Sequence, residues 1–161
     1  MAFVALGSNL GNSVQIVRPA LKRLQELSPR PLLKSSLWQT SPVNCPPGSP
    51  LFVNAVVGLV PQAGETPESL FAKLKALERE SGRQPKEIHN EPRLLDLDLI
   101  AFGGDRRATE QLTLPHPRAH QRRFVLQPLS EIAPDFILPV QTKFVLELLA
   151  ELRSDETIVR V

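Results

Sequence analysis

The stretch Leu94-Leu95-Asp96-Leu97-Asp98-Leu99-Ile100-Ala101-Phe102 alternates leucine with aspartate and then turns wholly apolar. A period of two is that of a strand with one face in a core, so a strand is predicted over 94–102. Leu95, Leu97 and Leu99 then point into the core, and Asp96 and Asp98 stand side by side on the opposite face. Aspartate is disfavoured in strands and neighbouring carboxylates repel, so something positive is expected between or over them. Gly103-Gly104 ends the strand in a turn.

Upstream, Phe3 to Leu6 reads as a short strand running into the turn chemistry of Gly7-Ser8-Asn9-Leu10-Gly11-Asn12. Val14, Val17, Leu21, Leu24 and Leu27 follow at helical spacing, with Pro19 expected to kink the helix or delay its start. Leu32 to Gln39 predicts a second strand. Ser41 to Pro50, with four prolines, predicts a surface loop. Leu51 to Val60 is a valine-rich third strand. Thr66-Pro67-Glu68 opens a helix with an N-cap hydroxyl, a proline at the first position and an acid in the first turn. Leu70, Leu74 and Leu77 form its buried face and Gly82 its stop. Arg83 to Arg93 is a charged loop leading into the aspartate strand. Beyond Gly104, prolines at 115, 117, 128, 134 and 139 predict loop and short helix, closing with a helix near Phe144 to Leu152. The order βαββαβ predicts an α+β, ferredoxin-like fold, an antiparallel sheet with helices packed on it plus a C-terminal extension. Residues 1–161 are read as one catalytic domain.

Composition narrows the setting. Nineteen basic against seventeen acidic residues leave a formal charge of +2, which suits a phosphate-bearing ligand and is too small to argue for nucleic acid. One cysteine, Cys45, excludes an internal disulfide and fits a reducing compartment. The N-terminus lacks the basic-then-apolar pattern of a secretory leader, and the apolar runs are only strand-sized. A cytoplasmic, monomeric protein that does not cross a membrane is expected. Sixteen prolines against eight glycines fit either loops stiffened against unfolding or codon bias.

Two carboxylates on one strand face suit magnesium, which takes one or two protein acids and completes its shell with water and phosphate. The competing reading is a merely wetted polar face. The surroundings favour the metal: Arg83, Lys86 and Arg93 precede the strand, and His116, Arg118, His120, Arg122 and Arg123 follow it. Arginine forks match phosphate oxygens and neutralise charge during transfer. There is no GxxxxGK[ST], no GxGxxG, no CxxC and no HExxH, so P-loop, Rossmann and zinc chemistries are not indicated.

Four segments, ALGSNLGN (5–12), LFVNAVV (51–57), EPRLLDLDLIAFG (91–103) and LTLPHPRAHQRRFVLQPL (112–129), together resemble the 6-hydroxymethyl-7,8-dihydropterin pyrophosphokinases of the folate pathway. The resemblance implies transfer of the β,γ-pyrophosphoryl group of ATP to the pterin hydroxymethyl oxygen, with AMP leaving. It implies two Mg2+ ions on Asp96 and Asp98. Arg83, Arg93, His116 and Arg122 match positions that contact nucleotide phosphates or stabilise transferred charge, and Glu78 matches a nucleotide-side residue. Pterin recognition falls to Thr40, Val43, Phe52, Asn54 and Phe124. The chemistry agrees, because two aromatic faces sandwich a flat bicycle and an asparagine amide offers donor and acceptor to an amide-like edge; core packing is the other reading of Phe52 and Phe124.

Pro85, Asn90-Glu91, Pro117 and Phe52 depart from the arginine, Trp-Gly, tyrosine and tyrosine of well-known members. Adenine and loop contacts are therefore expected to differ more than the metal site, with Lys86 partly replacing the charge at residue 85. Residues 82–92 are expected to close over ATP. Two rivals remain at this stage, a basic ferredoxin-like RNA-binding module and a non-catalytic pterin binder.

Overall fold

The computed structural model describes residues 1–9, 13–42, 45–81 and 94–161. In chain order the strands are β1 (Ala2–Ser8), β2 (Leu33–Lys34), β3 (Trp38–Thr40), β4 (Phe52–Leu59), β5 (Asp96–Phe102), β6 (Arg107–Ala108), β7 (Thr113–Leu114) and β8 (Ile158–Arg160). The helices are α1 (Ser13–Glu26), α2 (Pro67–Glu80), α3 (Arg123–Ile132) and α4 (Val145–Glu151). Six strands form one sheet in the order β5-β1-β4-β3-β8, with β2 also on β4, and every pairing is antiparallel. Setting β8 aside, this is the expected ferredoxin-like arrangement, with β8 added at one edge.

The period-two pattern sorts the side chains between two cores. Val4 and Leu6 of β1, Val53 and Val57 of β4, and Leu95, Leu97 and Leu99 pack with Val17, Ala20 and Leu24 of α1 and Leu70, Leu74 and Leu77 of α2. On the opposite face Phe3, Val56, Ile100 and Ala101 pack with Val125, Leu126 and Leu129 of α3 and Val145 of α4. A bulge between Phe3 and Val4 in the β1–β5 ladder lets Ile100 and Ala101 share that second core.

Thr66 caps α2 as expected, accepting from Ser69 N at 3.1 Å while Ser69 Oγ accepts from Thr66 N at 2.9 Å. One sequence expectation changes and two gain detail. The strand predicted over Leu32 to Gln39 divides into β2 and β3, because Ser35 Oγ takes the Val56 N–H at 2.9 Å while Ser35 N bonds Val56 O at 3.0 Å. The helix expected to stop at Gly82 ends at Glu80 with Ser81 as its C-cap, which is compatible with that stop; Gly82 itself lies outside the described residues. The proline-rich segment contains a ten-residue helix, α3, with Pro128 inside it. Proline there forfeits one backbone bond, and burial of Leu126, Pro128 and Leu129 offsets the loss.

Candidate active site

Register places the expected residues in rows on the α3 face. Asp96 pairs with Gly7, and Gly7 pairs with Asn54. Asp98 pairs with Ala5, which pairs with Val56. Directly opposed residues share a face, so Asp96 and Asn54 lie on one transverse row with Gly7 between them. At about 4.8 Å per strand spacing, the two are roughly 10 Å apart. Phe52 and Thr40, which pair with each other, form the next row.

Asn54 and Thr40 are buried, and Asn54 Nδ2 donates to Thr40 Oγ1 at 2.6 Å. That bond turns Asn54 Oδ1 toward β1, where a Cβ on Gly7 would stand 2.7 Å from it. Nothing larger than glycine fits without moving the amide. A glycine inside a strand was the available sequence signal for this close approach. Phe52 is half-buried beside the pair.

Asp96 and Asp98 are both half-buried, and Leu95, Leu97 and Leu99 on the other face are buried. Burial, and then the Asp96 carboxylate, push the Asp98 carboxyl up to about 6, while Lys75 and Arg122 pull it back. Arg122, at the N-cap of α3, faces these acids, and its guanidinium carbon lies 5.3 Å from the centroid of the Phe124 ring.

His116 is held by its backbone, whose N–H donates to Ile100 O at 2.9 Å. Its Nδ1 accepts from Arg118 N at 3.2 Å. Burial, Arg122 and Arg118 push its pKa down to about 4. At neutral pH the ring is therefore uncharged with its proton on Nε2, a directed donor suited to a phosphate oxygen.

Glu78 is buried, and its Oε1 accepts from Leu97 N at 2.7 Å and from Lys75 Nζ at 3.0 Å. Lys75 Nζ also donates to Leu97 O at 3.1 Å. Leu97 stands between the two aspartates on an outer strand, so this pair satisfies the backbone edge of the residue that spaces them. Sequence reading missed Lys75. The signal for Glu78 was a carboxylate continuing the apolar stripe of Leu70 and Leu74 at four-residue spacing.

The structure thus gathers Asp96, Asp98, Asn54, Thr40 and Phe52 on one sheet face, with His116 and Arg122 supplied by the segment leading into α3 and Phe124 by its first turn. Glu78 approaches from α2 at the sheet edge. Val43, Arg83, Pro85, Lys86, Asn90, Glu91 and Arg93 lie outside the described residues. Among the described residues no group of three or more His, Cys, Asp or Glu gathers as a metal site, and no helix is long and apolar enough to cross a membrane.

Comparison with known proteins shows the family. The sequence profile of the 7,8-dihydro-6-hydroxymethylpterin-pyrophosphokinase family matches residues 3–134. The 2-amino-4-hydroxy-6-hydroxymethyldihydropteridine pyrophosphokinase of Haemophilus influenzae is 38% identical over 138 residues, which cover 86% of this chain and 84% of that protein. The Pseudomonas aeruginosa protein of the same name is 37% identical, covering 85% and 83%. The folic acid synthesis protein fol1 of Pneumocystis carinii is 36% identical, and the match spans 86% of this chain but only 18% of that longer protein. A crystal structure of a Plasmodium falciparum HPPK-DHPS variant with pterin and p-hydrobenzoate superposes with a TM-score of 0.67 at 12% identity, over 93% of this chain and 44% of that one, which is a likeness of fold. The RNA-binding alternative finds no support. On the profile match and these relatives, the chain belongs to the 7,8-dihydro-6-hydroxymethylpterin-pyrophosphokinase family and is a pyrophosphokinase of folate biosynthesis.

Proposed function

We propose that the row Asp96–Gly7–Asn54 holds the substrate pterin by its amide-like edge at Asn54 and presents its hydroxymethyl arm to the acid pair. The observation that carries this reading is the register itself, which sets the recognition amide and the carboxylates on one face about two strand spacings apart. A flat bicycle with a one-carbon arm spans that gap. Thr40 fixes the amide, and Phe52 and Phe124 offer ring faces for stacking, with Val43 as a further contact.

Asp96 and Asp98 hold two Mg2+ ions in this reading. The fit rests on two half-buried carboxylates standing side by side on one strand face, a donor set of hard oxygens. When bound, the ions would neutralise phosphate charge and acidify the hydroxymethyl group. The protein's own groups do the rest. Arg122 and the His116 Nε2–H donate to phosphate oxygens, and Arg83, Lys86 and Arg93 are assigned to the same polyphosphate. Glu78 is assigned a supporting role on the nucleotide side, fixing the strand through Leu97 N. The hydroxymethyl oxygen bonds to the β-phosphorus of ATP, the bond from that phosphorus to the α,β-bridging oxygen breaks, AMP leaves, and the hydroxyl proton is released.

Asn54→Ala tests the recognition half. It should raise the KM for 6-hydroxymethyl-7,8-dihydropterin by about tenfold or more while leaving the KM for ATP near wild type, as expected for a lost bidentate amide contact. Equal effects on both substrates would remove Asn54 from the pterin site.

A further inference from the structure

The profile match ends at residue 134, before α4 and β8, and the site described so far uses nothing beyond Phe124. The C-terminal segment nevertheless touches both sides of that site. Glu156 Oε2 accepts from Arg123 N, in the first turn of α3, at 2.8 Å and from Ser154 Oγ at 2.7 Å. Arg123 returns a guanidinium bond to Leu152 O at 3.3 Å. One residue further on, the backbone of Thr157 is held twice by Ser41: Thr157 N donates to Ser41 Oγ at 3.0 Å, and Ser41 N donates to Thr157 O at 3.1 Å. β8 then pairs Ile158 with Thr40, Val159 with Gln39 and Arg160 with Trp38, and Val161 N closes on Leu37 O at 2.9 Å.

Consecutive residues of one segment therefore grip two elements that have no covalent reason to keep a fixed distance. One is the start of α3, which carries Arg122 and Phe124. The other is the end of β3, which carries Thr40. The far end of α3 is tied to the same strand region by Glu131, which accepts from Ser36 Oγ at 2.8 Å and Trp38 Nε1 at 2.5 Å. The C-terminal segment reaches this far end as well, through Arg160 Nη2 at 3.6 Å from Glu131 Oε2, while at the near end, where the pocket lies, it supplies the bonds to Arg123. Glu156 itself is unusual, since its Oε1 is buried and no hydrogen-bond partner for it lies among the described residues. A buried carboxylate with an unsatisfied oxygen is costly, and its location at the N-terminus of α3, within the field of Arg122, is what offsets the cost.

We propose that residues 154–161 are a strap that sets the separation of the two walls of the pterin pocket, with Glu156 its positioning residue. The inference rests on the pterin reading above. Glu156→Ala and Ser41→Ala each loosen one attachment of the strap; Ser41→Ala removes the acceptor of Thr157 N–H and leaves the Ser41 N–Thr157 O bond and the β3–β8 ladder in place, so it should fold normally. Each should raise the pterin KM by about fivefold to tenfold, with kcat at saturating pterin and the KM for ATP within about twofold of wild type. Glu156→Gln keeps an acceptor for Arg123 N–H and should retain most of the pterin affinity. Lys143→Ala, which breaks the exposed Lys143–Glu151 pair in the same C-terminal region, should leave the pterin KM unmoved. Melting temperatures of all four separate loss of fold from loss of positioning. If the Glu156 and Ser41 variants lose stability but keep the wild-type pterin KM, the strap has no positioning role. Wild-type protein that binds no pterin removes the pocket, and the strap with it.

Discussion

At the residue scale, the acid pair and His116 make opposite demands on the folded state. Asp98 binds its proton more tightly when folded, at about 6 against the usual 3.8, so its contribution to stability is present at low pH and lost as pH rises through about 6. His116 binds its proton less tightly when folded, at about 4 against 6.5, so it stabilises at high pH and its contribution is lost as pH falls from 6.5 toward 4. Between about 4 and 6 the two oppose each other. Asp98→Asn removes one of them, and Asp98 is not among the groups that depress His116. In EDTA, urea unfolding of that variant should gain stability with pH across this window more steeply than wild type. Parallel profiles would mean that Asp98 titrates normally. The pair was legible in the sequence because a strand's period of two puts Asp96 and Asp98 on one face without further information. The Thr40–Asn54 bond and the Gly7 clearance were not, since both depend on register between strands far apart in the chain.

At the element scale, β5 is an outer strand that must keep two carboxylates at a fixed pitch, and its exposed backbone edge is closed by the Lys75–Glu78 pair at Leu97. Glu78→Ala would leave a buried N–H without its acceptor and Lys75 without its partner. A loss of about 2–4 kcal/mol is expected, measurable by denaturant unfolding, together with a fall in kcat. An unchanged midpoint would show that β5 does not rely on this clamp. The strands β1, β4 and β5 and the helix α2 could be read from period, capping box and apolar stripe, because each of those signals is local. The division of β2 from β3 could not, since it turns on the Ser35 hydroxyl reaching Val56 across the sheet. Nor could α3, whose Pro128 reads as a breaker until Val125, Leu126 and Leu129 are seen buried against the sheet.

At the scale of the whole molecule, the sheet divides labour between its faces. One face is closed by α1 and α2 over an aliphatic core and carries the structural side chains of β5. The other is covered by α3 and α4 over Val56 and Ile100, and beside that covering lie Asp96, Asp98, Gly7 and Asn54. β8 and the strap join the C-terminus to the same side, an arrangement that a count of βαββαβ elements gives no reason to expect. The claim joining these levels is that the acid pair, loaded with magnesium, drives pyrophosphoryl transfer to a pterin lying along the Asp96–Gly7–Asn54 row. The measurement that tests it most directly is AMP release from ATP with 6-hydroxymethyl-7,8-dihydropterin and Mg2+, compared between wild type, wild type in EDTA, and Asp98→Ala. Pterin-dependent AMP should disappear in EDTA and fall on the order of a thousandfold or more in an Asp98→Ala variant that remains folded by circular dichroism. Asp98→Ala turning over within about tenfold of wild type would contradict the claim, because the pair would then not be where the chemistry is stabilised.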